Sequence, residues 1–395
     1  MKIAMVSHYF ESHRGGIEIV AGQLARAFTR QGHRVRWMAC NSDAPPADKA
    51  ICSDAVPLPA SNLLERRIGV PYPVPMPSAI PLIDRTIRGA DVLVTHDANF
   101  LPCLLAQLAA QRADVPVLLI QHIGLVPYRS LVLRAAMATM SRLLTGRALA
   151  AAAQVVFISD LTRQAFASVR FRRAPVMLFN GVDSSLFAPI SKGERRAARL
   201  SLDLDPDRPV VLFVGRFVEK KGLDHVRQMA RCRPEWNWVL AGWGPIGPAT
   251  WQLPNVRVFS DRSGESLTPL YWSADALVLP SVGEGYPLVV QEALACGLPV
   301  VCGADTARAD PAAIPLLSGA TVRAEDPSAT AEAFLDRLDP IVANGGPTDA
   351  ERQARSAFAH DRYSWSGTAA GLVSLASSLT VERGPNVSSP VQVVV

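Results

Sequence analysis

Twelve short apolar runs fix what this chain can fold into. Six lie in the first half: KIAMVS (2–7), RVRWMAC (34–40), DVLVT (91–95), PVLLIQ (116–121), QVVFI (154–158) and PVMLF (175–179). Six more follow in the second half: PVVLFVG (209–215), NWVLA (237–241), NVRVF (255–259), DALVL (275–279), LPVVC (298–302) and ATVR (320–323). Such runs lack polar alternation and are separated by helical patterns, which describes parallel strands buried on both faces. The simplest α/β architecture with that pattern is the open doubly wound sheet, here present twice. A chain of 395 residues also exceeds one ordinary core,. The expected division is 1–187 and 188–359, with the polar stretch Ser191 to Arg208 leading into the second sheet. A closing helix follows over 360–379, and 380–395 carries no caps or pattern and reads as a disordered tail.

Composition narrows the class. Apolar residues make up 49% and charged residues 19%, as in a globular protein with large buried sheets,. No apolar run is long enough to cross a membrane, and the opening Met-Lys-Ile-Ala-Met-Val-Ser reads as a strand, so a cytoplasmic protein is expected. Six cysteines lie scattered without CxxC spacing, which favours reduced thiols,. Between residues 128 and 147 stand Arg129, Arg134, Arg142 and Arg147 with no acid, interleaved with leucines and methionines. That segment suits a helix packed on a sheet with solvated arginines, or peripheral contact with an anionic membrane. No basic patch interleaved with aromatics points to nucleic acid.

The motifs sit where the strands end. After DALVL, a glycine-bracketed turn presents Glu284, and an amphipathic segment then carries Glu292 before Gly297-Leu-Pro stops it,. Eight residues of helical rise would separate the two acids by roughly 12 Å, with a helix N-terminus between them. A nucleotide-sugar fits that span; the plain alternative is two surface acids on a buried βα unit. After PVVLFVG comes Gly215-Arg216-Phe-Val-Glu-Lys220-Lys221-Gly222, where Arg216 and Lys221 can reach one diphosphate,. The first strand ends in Ser7-His-Tyr-Phe-Glu-Ser-His-Arg-Gly15-Gly16, which opens a helix but is not GxGxxG, so a dinucleotide dehydrogenase is disfavoured,. His122 follows PVLLIQ at a carboxyl strand end. Ser159 is read as a helix N-cap, Asn180-Gly-Val-Asp183 as a turn, and Asp203-Leu-Asp205 as solvated loop rather than a metal pair. The Pro-rich stretch 51–81 is read as a surface excursion bordering an acceptor cleft.

Taken together, Gly15-Gly16 with Ile17-Glu18, Asn180-Gly-Val-Asp183, Gly215 to Gly222 and Glu284-x7-Glu292 give the chain a resemblance to the retaining glycosyltransferases of family 4, over about residues 1–375. The resemblance implies the GT-B fold: two Rossmann-like domains facing across a cleft, with a C-terminal helix crossing back to the first. It implies a nucleoside-diphosphate sugar as co-substrate, a glycan, lipid-linked or small-molecule acceptor, no cofactor and no metal. Arg216 and Lys221 would hold the diphosphate, Glu292 the ribose, and Glu284 the hydroxyls of the transferred sugar, with His122 beside that sugar. Gly15, Gly16 and Gly215, with the turn Gly285, Tyr286, Pro287 and Leu288, would complete donor binding. Trp243, in Gly242-Trp-Gly-Pro245, either covers the base or fills local core. The segment Cys302 to Pro315 departs from the family, lacking its Gly-Gly-x-x-Glu. A nucleotide-sugar hydrolase or epimerase, and an inactive scaffold subunit of the same fold, are the alternatives.

Overall fold

The computed structural model describes residues 1–68, 71–124, 144–260, 262–343 and 345–381, without the side chain of Ile68. Its first sheet contains β1 (Lys2–Val6), β2 (Arg34–Cys40) and β3 (Asp54–Leu58). A small antiparallel pair, β4 (Ala60–Ser61) and β5 (Val74–Pro75), lies apart from it. The sheet continues with β6 (Val92–His96), β7 (Val117–Gln121), β8 (Gln154–Phe157) and β9 (Val176–Met177). The second sheet holds β10 (Val210–Val214), β11 (Asn237–Ala241), β12 (Val256–Phe259), β13 (Ala276–Leu279), β14 (Val300–Gly303) and β15 (Leu317–Ala320).

Both sheets are parallel and share one winding. The orders are β3-β2-β1-β6-β7-β8-β9 and β12-β11-β10-β13-β14-β15. In each, the chain winds outward one way from its first strand and then returns to wind the other way. The reversal falls between β1 and β6 in one sheet and between β10 and β13 in the other, and ligands of such folds bind at the carboxyl ends beside it. Strands such as β6, β7, β10 and β11 are buried along their whole length, which is why their sequences do not alternate,.

Three elements differ from expectation. The Pro-rich stretch 51–81 supplies β3, which pairs with β2 alone; an edge strand has one unpaired side, so Pro57 within it is tolerated,. The last strand of the second sheet begins at Leu317, earlier than ATVR, and ends at Ala320, so most of 320–323 lies beyond it. The closing helix is Trp365–Val381, separated by Tyr363 and Ser364 from the helix Asp349–Arg362. Its Ala369, Leu372 and Ala376 pack with Val20, Ala21 and Leu24 of the helix Gly16–Arg30 in the core of the first lobe. Of the basic segment 128–147, residues 128–143 lie outside the described ones, as do 382–395. Among the described residues, no helix is long and apolar enough to cross a membrane.

Leu372 is 1% exposed in that helix contact. Leu372→Ala is expected to cost about 2–5 kcal/mol of stability, read as a lowered midpoint in denaturant or thermal melting.

Candidate active site

Two loops of the second lobe interlock at its switch point. The loop after β10 makes a turn, Glu219–Lys221, that ends on Gly222 in the left-handed region (φ 73°); a Cβ there would lie 2.3 Å from the Pro280 carbonyl oxygen that ends β13. A side chain is excluded on both counts. From the other side, the Val282 N–H donates to the Lys220 carbonyl at 3.0 Å. The two stretches picked out by sequence, Gly215 to Gly222 and Glu284 to Leu288, are thus one structural unit.

That unit is cationic. Lys221 Nζ lies 3.0 Å from Glu284 Oε1, both side chains 13% exposed, and Lys220 Nζ lies 3.9 Å from the same oxygen. Burial would raise the Glu284 carboxyl, but Lys221 and Lys220 outweigh it and hold the group below its ordinary range,. Arg216 stacks its guanidinium over Trp243 at 4.6 Å, and its buried Nε has no protein partner,. Trp243 is therefore a platform for Arg216, and its backbone carbonyl accepts from Phe217 N at 2.7 Å, tying the loops after β10 and β11 together. Lys220 and Lys221 beside one carboxylate, with Arg216 on the same loop, leave an excess of positive charge that suits a polyanion,.

The helix Leu288–Ala295 begins four residues after Glu284. Only Leu288 to Glu292 is therefore helical, and Glu284 to Pro287 is turn, so the separation of the two acids is not set by helical rise alone,. Glu292 accepts a 2.6 Å hydrogen bond from the Tyr271 hydroxyl. Burial pushes its carboxyl up to about 7, against the opposing effect of that bond,.

The first lobe meets this unit at His122. A Cβ on Gly285 would lie 2.3 Å from the His122 carbonyl oxygen and 3.5 Å from Ile158 Cδ1, so the lobes touch through a bare Cα. His122 is held by Asp97, a buried residue at φ 72° whose carboxylate accepts the backbone N–H groups of His122 (3.2 Å), Ile123 (2.9 Å) and Asn99 (2.9 Å). The His122 ring is buried and its Nε2 lies 3.2 Å from His96 Nδ1. Burial drives the His122 pKa well down, with His96 and His8 adding to it, so the ring is neutral at physiological pH,. His96 itself is pushed down to about 3 by burial.

Gly15 and Gly16 are not equivalent. Gly15 caps the helix Gly16–Arg30, and the Glu18 carboxylate folds back over it: a Cβ on Gly15 would meet Glu18 Oε2 at 2.1 Å. Glu18 is buried and pairs with His8 Nε2 at 2.9 Å. An anion approaching that helix N-terminus at Gly15 would face a carboxylate, whereas the Cβ direction of Gly16 is open. Asp203 and Asp205 lie in the polar turn before β10, where Asp205 pairs with Arg208 at 3.3 Å. Ser159 is a helix N-cap, accepting from Thr162 N at 3.1 Å. Among the site residues, Lys220, Tyr271, His96 and Asp97 carry no sequence signal of their own; Lys220 stood beside Lys221 in the motif, and only the folded register makes its carbonyl and charge part of the site.

Residues 14–186 match the glycosyltransferase family 4 description, and residues 208–339 match glycosyl transferases group 1. Curated relatives include the D-inositol 3-phosphate glycosyltransferase of Mycolicibacterium gilvum, 33% identical over 194 residues (46% of this chain, 42% of that one). That of Mycobacterium sp. strain KMS is 37% identical over 137 residues (31% and 30%). The chain spans less than half the length of these curated relatives. Among solved structures, the fold matches sucrose-phosphate synthase from Thermosynechococcus elongatus with a TM-score of 0.75 at 20% identity, covering 97% of this chain and 100% of that one. Anabaena HepE in complex with UDP-glucose gives a TM-score of 0.69 at 18% identity, covering 96% and 100%. At these identities the likeness establishes the GT-B fold.

The raised Glu292 carboxyl sets a pH signature. Its folded-state pKa lies above the unfolded value, so the stability it contributes is full below about 4.5 and is lost as pH rises through about 7,. Melting temperatures of the protein and of Glu292→Gln are expected to diverge over that window, with the glutamine variant gaining up to about 3 kcal/mol relative to the parent by pH 8.

Proposed function

From a chain that belongs to glycosyltransferase family 4, we propose an enzyme that moves a hexosyl group from a nucleoside-diphosphate sugar to an acceptor hydroxyl with retention of anomeric configuration. One observation carries this reading: Lys220 and Lys221 lie beside Glu284 at the switch point of the second lobe, with Arg216 on the same loop, and the next residue, Gly285, packs against His122 of the first. Transfer builds negative charge on the departing diphosphate, and fixed cations stabilise that charge more than they stabilise the bound donor. The three side chains meet that need without a divalent ion. Arg216, with its Nε lacking a protein partner, forks onto phosphate oxygens, and Lys221 exchanges part of its pairing with Glu284 for the diphosphate,.

Glu284, kept ionised by its lysines, accepts hydrogen bonds from hydroxyls of the transferred sugar, and Glu292 accepts from the ribose. Gly215 and the turn Gly285 to Leu288 line the donor, and Gly16 rather than Gly15 offers the open approach from the first lobe. His122, neutral, orients the sugar through Nδ1. No side chain is assigned as nucleophile; the acceptor attacks from the face the diphosphate leaves, and the leaving phosphate oxygen takes its proton. UDP-hexoses are the first donors to test, because HepE was solved with UDP-glucose, and a polyol or cyclitol hydroxyl is the first acceptor, given the curated relatives. Contact of residues 128–147 with an anionic membrane belongs to the same reading and is tested by co-sedimentation with anionic vesicles.

The test is turnover by purified protein with a panel of nucleotide-sugars and acceptors, with the anomeric configuration of the product read by proton NMR. An inverted product, or release of free sugar at the same rate with and without acceptor, defeats the proposal. Arg216→Ala and Lys221→Ala are each expected to raise the barrier by about 2–4 kcal/mol, a loss of about 30- to 900-fold in kcat/KM.

A further inference from the structure

Behind the donor turn lies a buried polar chain whose hydroxyl and carboxylate groups none of the roles above uses. Asp310 is fully buried in the segment after β14, the one that departs from the family pattern. Its two carboxylate oxygens accept from the Tyr363 hydroxyl (2.7 Å), from Arg362 Nη2 (2.7 Å) and Nε, and from Ala312 N (3.0 Å). The Tyr363 hydroxyl has one proton, and Asp310 receives it. The 2.9 Å contact between the Tyr286 and Tyr363 hydroxyls is therefore donated by Tyr286,. The result is a directional chain from Tyr286 to Tyr363 to Asp310, closed by the Arg362 cation.

This chain has neighbours on every side. Phe179 sets its ring edge-on to both tyrosines, 6.0 Å from each, and Arg362 stacks over Phe179 at 4.7 Å. The Tyr363 carbonyl accepts from Val182 N at 3.1 Å, where the polypeptide leaves the first lobe, and the carbonyl of Ala309 accepts from Asp160 N of the first lobe at 2.8 Å. Tyr286 stands two residues after Glu284 and one after Gly285. The turn that carries Glu284 is thus moored to the place where the chain passes between lobes.

We infer that Asp310 is a positioning residue: through Tyr363 and Tyr286 it fixes the Glu284–Gly285 turn against Lys221 and His122. Its effect on the donor rests on the activity proposed above, but the mooring itself does not. A buried carboxylate with every lone pair engaged rigidifies its neighbours, and a missing hydroxyl leaves part of that set unpaired. Tyr286→Phe and Tyr363→Phe each remove one hydroxyl and keep the ring, so the fold is retained; Asp310→Asn is the harsher variant.

Hydrogen–deuterium exchange of residues 281–288 in the donor-free protein tests the mooring without any turnover. Both Phe variants are expected to speed exchange there by about ten-fold, with the double variant no faster than the singles, because the hydroxyls form one link. With a working donor, the donor KM is expected to rise about five- to ten-fold while kcat stays within about two-fold. Unchanged exchange in both Phe variants overturns the inference, and so does faster exchange with an unchanged donor KM. A parent protein with no turnover on any nucleotide-sugar defeats the proposed activity alone, and the exchange result then decides this inference by itself.

Discussion

The ion pair between Lys221 and Glu284 is the contact on which the rest of the site depends. Each partner comes from a different strand end, and each is largely shielded from water. Such a pair stabilises only when its geometry is fixed, because desolvation otherwise cancels the attraction. The fixing comes from backbone: Gly222 in its left-handed turn beneath the Pro280 carbonyl, and Val282 bonded to Lys220. The pair is therefore a consequence of sheet topology, since β10 and β13 are neighbours only because the winding reverses between them. Arg216, on its tryptophan platform, adds a cation to the same loop without relying on that pair.

Much of this was legible in the sequence, for identifiable reasons. Central parallel strands such as β7 and β10 are continuous apolar runs, so their positions follow from composition alone. The site loops are marked by glycine, arginine and lysine at strand ends. What escaped was whatever depends on pairing between distant segments. Nothing in PLP within 51–81 distinguishes an edge strand from a surface excursion until β2 is present to pair with it. The helix between Glu284 and Glu292 starts later than the motif alone suggests, at Leu288 after Pro287, so half of that stretch is turn. The buried partners of His122, namely His96 and the Asp97 carboxylate, follow a different strand and acquire their meaning only when β6 and β7 lie side by side.

The inequivalence of Gly15 and Gly16 shows how a doublet can hide two roles. Gly15 is small because Glu18 must lie over it, and Glu18 lies there because the helix start and His8 both favour a carboxylate,. Gly16 is small with nothing above it. A sequence comparison weighs the two alike, whereas their surroundings differ by a negative charge.

That carboxylate also shapes how a ligand arrives. One lobe holds Glu18 with its histidine, and the other holds Lys220 and Lys221 beside Glu284. A small anion entering between such charges would meet an asymmetric field that weakens with ionic strength. Such a field would bias orientation at long range and leave discrimination to the close contacts.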